Sequence, residues 1–473
     1  MGLPRHIAAS SCGIYSTPQK HLFFQSVGLR SAGFFTTRQP MSIFFEIAYA
    51  AVNKGLCIFT GTGFSKAVSK NTAPTWQGLL EELCDECANP NKLKESLFPE
   101  DDKHPLSLEE AAQVIEIELL KVGKHIHQEI AAIIGKVGLD GERGAIEQFF
   151  KEQSFQVVTT NYDKLVEQLV GEADCQSLTP GLPVPRSEAR VKVYHVHGSI
   201  DVSENMVVTA DDYFKFLNAE SYFSRKLSTI LHENTVVILG YSLGDTNLKA
   251  ILSDYKGFAR NHVIGSNIIL VSRSGVDQPL KDYYIKCYGI RVVDNYEVNE
   301  FFEVLNRQLP VAADRRESTA ANIREVVSGR KAFTDEYLKI ERSFYEIVGS
   351  ISAAGYSMKN TGVVNMLGDI IDKKTALTIE AGAWNQYNDL AKWLIYLGTI
   401  LEIEGISVEA TYLSAVKRSM EKMSKNKALG YSWQAYASWS DKWESITPSN
   451  RNLIKAYILK NSSDPDALRV VNL

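Results

Sequence analysis

The stretch Leu56-Cys57-Ile58-Phe59-Thr60-Gly61-Thr62-Gly63-Phe64-Ser65 constrains the fold most. Its apolar run reads as a strand buried on both faces, as strands of parallel sheets are. Glycines directly after it allow a sharp turn and a close backbone approach by a ligand. A helix after the turn would aim unpaired N–H groups, and the positive end of its dipole, at that spot. Strand, glycine turn and helix together make a candidate seat for a phosphate or pyrophosphate. Lys66 stands where the third glycine of G-x-G-x-x-G would be. An ordinary strand-to-helix turn has the same appearance, so the motif needs support from elsewhere in the chain.

That support comes from repetition. Phe155–Thr159, Val191–Val196, Thr235–Leu239, Asn267–Val271 and Gly289–Val293 are further short apolar runs. Helical patterns lie between them, at 107–135 and near 210–232, 245–256 and 279–286. Residues 89–104 and 171–190 read as loops. Alternating strands and helices give an α/β domain, a Rossmann-like parallel sheet covered on both faces. A helix at 297–308 is expected to close it. From 311 to 473 no strand-like run occurs, and the pattern is all-α. Five tryptophans lie there, with no histidine after His262 and no cysteine after Cys287. Such a region is better suited to partner binding or oligomerisation than to nucleophilic or acid–base chemistry. The expected organisation is an extension at 1–40, a catalytic domain at 41–310 and a helical regulatory or interaction domain at 311–473.

Composition narrows the function classes. The 473 residues are 45% hydrophobic and 23% charged, as in soluble globular proteins. A formal net charge of -5 gives no general drive toward nucleic acid or anionic membrane. No apolar stretch approaches a membrane span. Six scattered cysteines suggest a reducing, cytoplasmic setting. Cys84-x-x-Cys87 lacks the second pair of a four-cysteine zinc site, and no metal is expected. Residues 1–40 carry Arg5, Lys20, Arg30 and Arg38 but no acidic residue. That composition suits a transit peptide or, in the preferred reading, a loosely ordered extension ahead of Met41.

In open parallel sheets, ligands bind beyond the carboxyl ends of the strands. Four strand ends carry unusual polar residues: Gly61-Thr62-Gly63, Thr160-Asn161-Tyr162-Asp163, His197-Gly198-Ser199 and Gly240-Tyr241-Ser242-Leu243-Gly244-Asp245. The last also matches G-x-S-x-G, the nucleophile elbow of serine hydrolases. Only His262 follows Ser242, which leaves little room for a triad.

The set resembles the sirtuin superfamily, in particular its bacterial sirtuin-like branch of NAD+ hydrolases in anti-phage defence. Gly61-Thr62-Gly63-Phe64-Ser65, Thr159-Thr160-Asn161-Tyr162-Asp163, His197-Gly198, Gly240-Tyr241-Ser242-Leu243 and Pro74-Thr75-Trp76 carry the resemblance, over roughly residues 43–308. It implies that NAD+ is a substrate. Gly61, Thr62, Gly63, Ser65, Thr160, Gly240, Ser242, Asp245 and Ser272 would bind it. Asn161, Asp163 and His197 would act on the nicotinamide ribose, with His197 as base. By strand alternation His195 shares a face with His197 and is the alternative histidine. Asn161 could instead cap the helix that follows it. Protein-deacylating sirtuins carry two Cys-x-x-Cys pairs after His-Gly, whereas here that region holds only Cys287. A groove for acyl-lysine peptides is therefore not expected. An NAD+-sensing module without turnover, and a deacylase, remain alternatives. The resemblance further implies a homo-oligomer, or a partner protein or phage-derived trigger acting through the helical domain.

Overall fold

Sheet formation follows the apolar runs. The strands are β1 (Leu56–Thr60), β2 (Phe155–Thr159), β3 (Cys175–Leu178), β4 (Val191–His195), β5 (Thr235–Leu239), β6 (Ile268–Val271) and β7 (Ile290–Val293). They form one seven-stranded sheet in the order β3-β4-β2-β1-β5-β6-β7, and every pair is parallel. This computed structural model describes residues 41–99, 106–184, 188–218, 222–241, 252, 264, 267–380 and 382–473. The 1–40 extension, Ser242, Asp245 and His262 lie outside them. So does the helix expected at 245–256, save Leu252. The described residues all belong to one compact unit, Gln39–Leu473.

The central strands are mostly apolar because both faces of the sheet are covered. Ile58, Val157, Val193, Val237 and Ile269 point into a layer with Phe149, Phe150, Phe301 and Phe302, beneath the helix Met41–Val52, here α1. Cys57, Phe59, Val158, Tyr194, Val236 and Ile238 point the other way, onto Phe223, Leu227 and Ile230 of the helix Tyr222–Glu233. Between β1 and β2 a small helical lobe forms its own core from Leu79, Leu83, Ala112, Ile115, Ile126 and Ile130.

Three local expectations are corrected. The loop read at 171–190 contains β3, an edge strand of Cys-Gln-Ser-Leu. Its polar residues carry no apolar run, so periodicity could not reveal it. The single helical stretch at 107–135 is two helices, Leu108–Lys121 and Ile126–Ile134, broken where Gly123 takes a positive φ of 75°. The loop read at 89–104 contains the helix Pro90–Leu97.

The helix expected at 297–308 is longer. It runs without interruption from Val298 to Val327, through Pro310. Proline inside a helix loses one hydrogen bond and crowds the preceding turn. Anchorage at both ends offsets that cost. Phe301, Phe302, Leu305, Leu309 and Ala312 sit in the core under the sheet, while Ile323 and Val327 sit in the core of the helical region. That second core is built on Phe344, Leu367, Trp393, Tyr412, Val416 and Trp439.

Polar contacts also join the two cores. Glu46 on α1 forms a buried ion pair with Arg291 on β7, one contact measuring 3.0 Å from Arg291 Nη1 to Glu46 Oε2. The hydroxyl of Tyr396, from the helix Trp384–Ile400, donates to the same carboxylate at 3.0 Å. The hydroxyls of Tyr49 and Ser350 are hydrogen-bonded at 2.7 Å.

Candidate active site

Strand register puts the motifs side by side. Residue pairing aligns His195, Thr159, Thr60, Leu239 and Val271 across five neighbouring strands. His197, Asn161, Gly61, Gly240 and Ser272 therefore all follow one row at the carboxyl edge of the sheet. At a strand spacing of about 4.8 Å the row is about 19 Å wide. The chain order reverses between β1 and β5, so their ends flank the crevice in which such sheets bind ligands.

At that crevice two glycine turns lock together. The helix after β1, α2 (Thr62–Val68), is capped by the backbone of Gly61 alone. Gly63 N–H donates to the Gly240 carbonyl at 2.7 Å, and Gly61 N–H to that of Leu239 at 3.0 Å. Phe64 N–H donates to the Gly61 carbonyl at 2.9 Å. The turn expected to offer N–H groups to a phosphate thus spends these three on the protein. Its glycines serve close packing: a Cβ on Gly63 would lie 2.8 Å from Gly240 Cα, and one on Gly240 only 2.0 Å from Phe64 N. Gly240 also has a φ of +61°. Gly240→Ala is expected to cost at least the ~1–3 kcal/mol of a forced left-handed residue. Denaturant unfolding measures this loss.

One turn into α2, Ser65 joins the two motifs that flank β1 and β2. It is only 2% exposed. Its hydroxyl donates to Asp163 Oδ2 at 2.6 Å and accepts from Asn161 Nδ2 at 2.7 Å. Asn161 is thus fixed by the nitrogen end of its amide. Asp163 is buried, and its other oxygen accepts from Leu165 N–H at 3.1 Å. At the start of the helix Leu165–Val170 it is thus Asp163, and not Asn161, whose side chain accepts from the first helical N–H. Burial pushes the Asp163 carboxyl up, against the Ser65 and Leu165 hydrogen bonds and the charge of His195. Thr62, Thr160 and Ser272 are half-buried along the same edge, and Ser272 Oγ donates to the Ser274 carbonyl at 2.7 Å.

The two histidines have different surroundings. β4 ends at His195, and Gly198 turns with a φ of +86°. His195 is fully buried. Its Nε2 lies 2.7 Å from Glu167 Oε1, and its Nδ1 3.2 Å from the Asn161 carbonyl. The His197 ring instead meets Tyr213 and Phe216 edge-on, both at 5.4 Å between centroids. Val207 N–H donates to the His197 carbonyl at 2.8 Å.

Glu167 went unnoticed in the sequence. The one available signal was a carboxylate among Leu165, Val166 and Leu169 on a buried helix face. Burial raises its pKa, but His195 and Lys164 outweigh that and hold it at about 2, against 4.5 ordinarily. The folded value lies below the unfolded one, so this stabilisation is present above pH 4.5 and lost as pH falls toward 2. At ~1.4 kcal/mol per unit, Glu167→Gln is expected to cost about 3 kcal/mol at neutral pH and to flatten acid destabilisation in that window. Unfolding curves across pH test it.

Among the described residues no group of three His, Cys, Asp or Glu side chains could hold a metal ion. Cys84 and Cys87 are buried free thiols, and burial raises Cys84 to about 12. No helix of the described residues is long and apolar enough to cross a membrane.

The polar strand ends of the parallel sheet thus converge in one row at its carboxyl edge. Residues 156–293 match the SIR2-like domain family. β1 and its glycine turn precede that match and join it through the sheet pairing and through Ser65. Among known proteins, the chain is similar to an NAD(+) hydrolase ThsA of Enterococcus faecium, 36% identical over 22% of this chain and 23% of that one. It is also similar to an NAD(+) hydrolase ThsA of Cytobacillus dafuensis, 25% identical over 44% of this chain and 39% of that one. A Defense-associated sirtuin 2 of Bacillus subtilis is 23% identical over 53% of this chain and 24% of that one. The matches span less than half the length of each relative.

Proposed function

We propose that the chain is a sirtuin-like NAD+ hydrolase that cleaves NAD+ to nicotinamide and ADP-ribose and depletes it in anti-phage defence. The observation that carries this reading is the Asn161–Ser65–Asp163 junction, set in one row with His197 and the locked Gly63–Gly240 turns. Its likeness to proteins named as NAD(+) hydrolases supports it. Breaking the nicotinamide–ribose bond builds positive charge on the sugar, which oriented amide and carboxylate oxygens stabilise. Asn161 takes that role. Asp163, buried behind it, holds Ser65 and Asn161 in place. His197 is the base for a ribose hydroxyl or for water, since imidazole titrates near neutrality. Tyr213 and Phe216 wall its ring.

Residues 311–473 act as the regulatory region, through homo-oligomerisation or a docked trigger, in the cytoplasm. Such control suits an activity that would otherwise drain the host's own NAD+.

The test is incubation of the purified full chain with NAD+, reading nicotinamide and ADP-ribose. Binding without products would leave a sensing module. Ser242→Ala is expected to weaken NAD+ binding by about 0.5–1.5 kcal/mol, the contribution of one neutral hydrogen bond. In a serine hydrolase it would abolish turnover, and a fluorophosphonate probe would label Ser242.

A further inference from the structure

Beneath the row of strand ends lies a chain of charges, buried at His195 and Glu167 and reaching the surface at Asp201. Lys164 Nζ reaches Glu167 Oε1 at 2.7 Å, Asp201 Oδ2 at 2.7 Å and Ser177 Oγ at 2.6 Å. Glu167 in turn reaches His195, and His195 the Asn161 carbonyl. A carboxylate and a carbonyl can only accept hydrogen bonds, so the His195 ring sits between two acceptors, one facing each ring nitrogen. It is fully buried, so it cannot touch a substrate. The ionisable groups around it are Glu167, Lys164 and Asp163.

This cluster grips both halves of the site. Through His195 it holds the main chain of Asn161, at the end of β2. Through Asp201 it holds the loop that follows His197, where Ile200 N–H also donates to the Tyr162 carbonyl at 3.0 Å. We infer that His195, Glu167 and Lys164 are positioning residues that set the separation of Asn161 and His197 for the reaction. The inference rests on the proposed NAD+ hydrolase reading. Nothing in the cluster belongs to the β1–β5 crevice where the dinucleotide would sit. Loosening the cluster therefore misplaces the reacting groups without loosening substrate, and a displacement near 1 Å can cost about a hundredfold in rate.

The experiment compares Glu167→Leu and Glu167→Gln in the full chain. Leucine removes the acceptor for His195 and Lys164, whereas the glutamine amide oxygen still accepts. Glu167→Leu is expected to lower kcat by about 10- to 100-fold with KM within about threefold, and Glu167→Gln to recover most of that loss. Ring-nitrogen NMR with isotope-labelled histidine, assigned by His195→Gln, is expected to show both His195 nitrogens protonated at neutral pH. If Glu167→Leu fails to fold, Glu167→Gln and the NMR spectrum decide. Unchanged kcat in folded Glu167→Leu, a loss confined to KM, or a neutral His195 ring would each overturn the inference. If the native chain releases no nicotinamide, the hydrolase reading falls. The spectrum then still shows whether the imidazolium clamp exists.

Discussion

His197→Ala is expected to lower nicotinamide release by about 10²- to 10⁴-fold, the usual contribution of a positioned general acid or base. Asn161→Ala should fall in a similar range, about 10²–10³-fold, the effect of deleting one preorganised electrostatic partner. Asn161 is partly buried at the rim and His197 is buried, but the sheet is held elsewhere by apolar packing, so both variants should stay folded. The His197 ring meets Tyr213 and Phe216 edge-on, and Asn161 gives up one hydrogen bond to Ser65. Discontinuous nicotinamide assays beside thermal unfolding separate the two effects. Full turnover in either folded variant would remove that residue from the chemistry.

Glu46→Ala is expected to be among the most destabilising single changes in the chain. It removes the carboxylate paired with the Arg291 guanidinium, which is buried at the base of β7, and takes an acceptor from Tyr396. Removing one partner of a buried ion pair typically costs about 3–5 kcal/mol, because the other charge stays desolvated. Tyr396→Phe removes only a donor to a charged group and should cost about 1.5–3 kcal/mol. Replacing both charges together, as Glu46→Met with Arg291→Met, should cost less than Glu46→Ala alone. Chemical denaturation of the three variants checks that ranking. Equal losses would mean that the pair is a surface-like contact with little desolvation.

The architecture was largely legible because six strands are rich in apolar residues, and both faces of a parallel sheet demand such composition. β3 escaped because its position at the edge requires no apolar stretch. The helical boundaries at Gly123 and Pro310 misled in opposite directions. A glycine in a periodic stretch broke the helix, whereas a proline at an apparent end did not. The site was legible as motifs, since polar residues after apolar runs stand out. Its wiring was not. Ser65 reads as a ligand contact but holds Asn161 and Asp163 together, and the glycines read as a phosphate cradle but close on each other. His195 and His197, two residues apart, could be separated only by where β4 stops. Glu167 in the short helix Leu165–Val170 and Lys164 just before it acquire meaning only through His195.

The helix Val298–Val327 has a practical consequence for dissecting this molecule. Thirty residues at 1.5 Å each make a rod about 45 Å long, with one end beneath the sheet and the other inside the helical core. A fragment ending at 310 would sever the rod mid-span, remove Ala312 from the sheet's own core and bare the flank of α1 where Tyr49 meets Ser350. Inactivity of such a fragment would report a broken scaffold and say nothing about control. The same rod links Ile323 and Val327 in the helical core to Phe301 and Phe302 under the strands. Point changes that leave the rod whole, such as Tyr396→Phe, are therefore the means of asking whether the C-terminal helices govern the site.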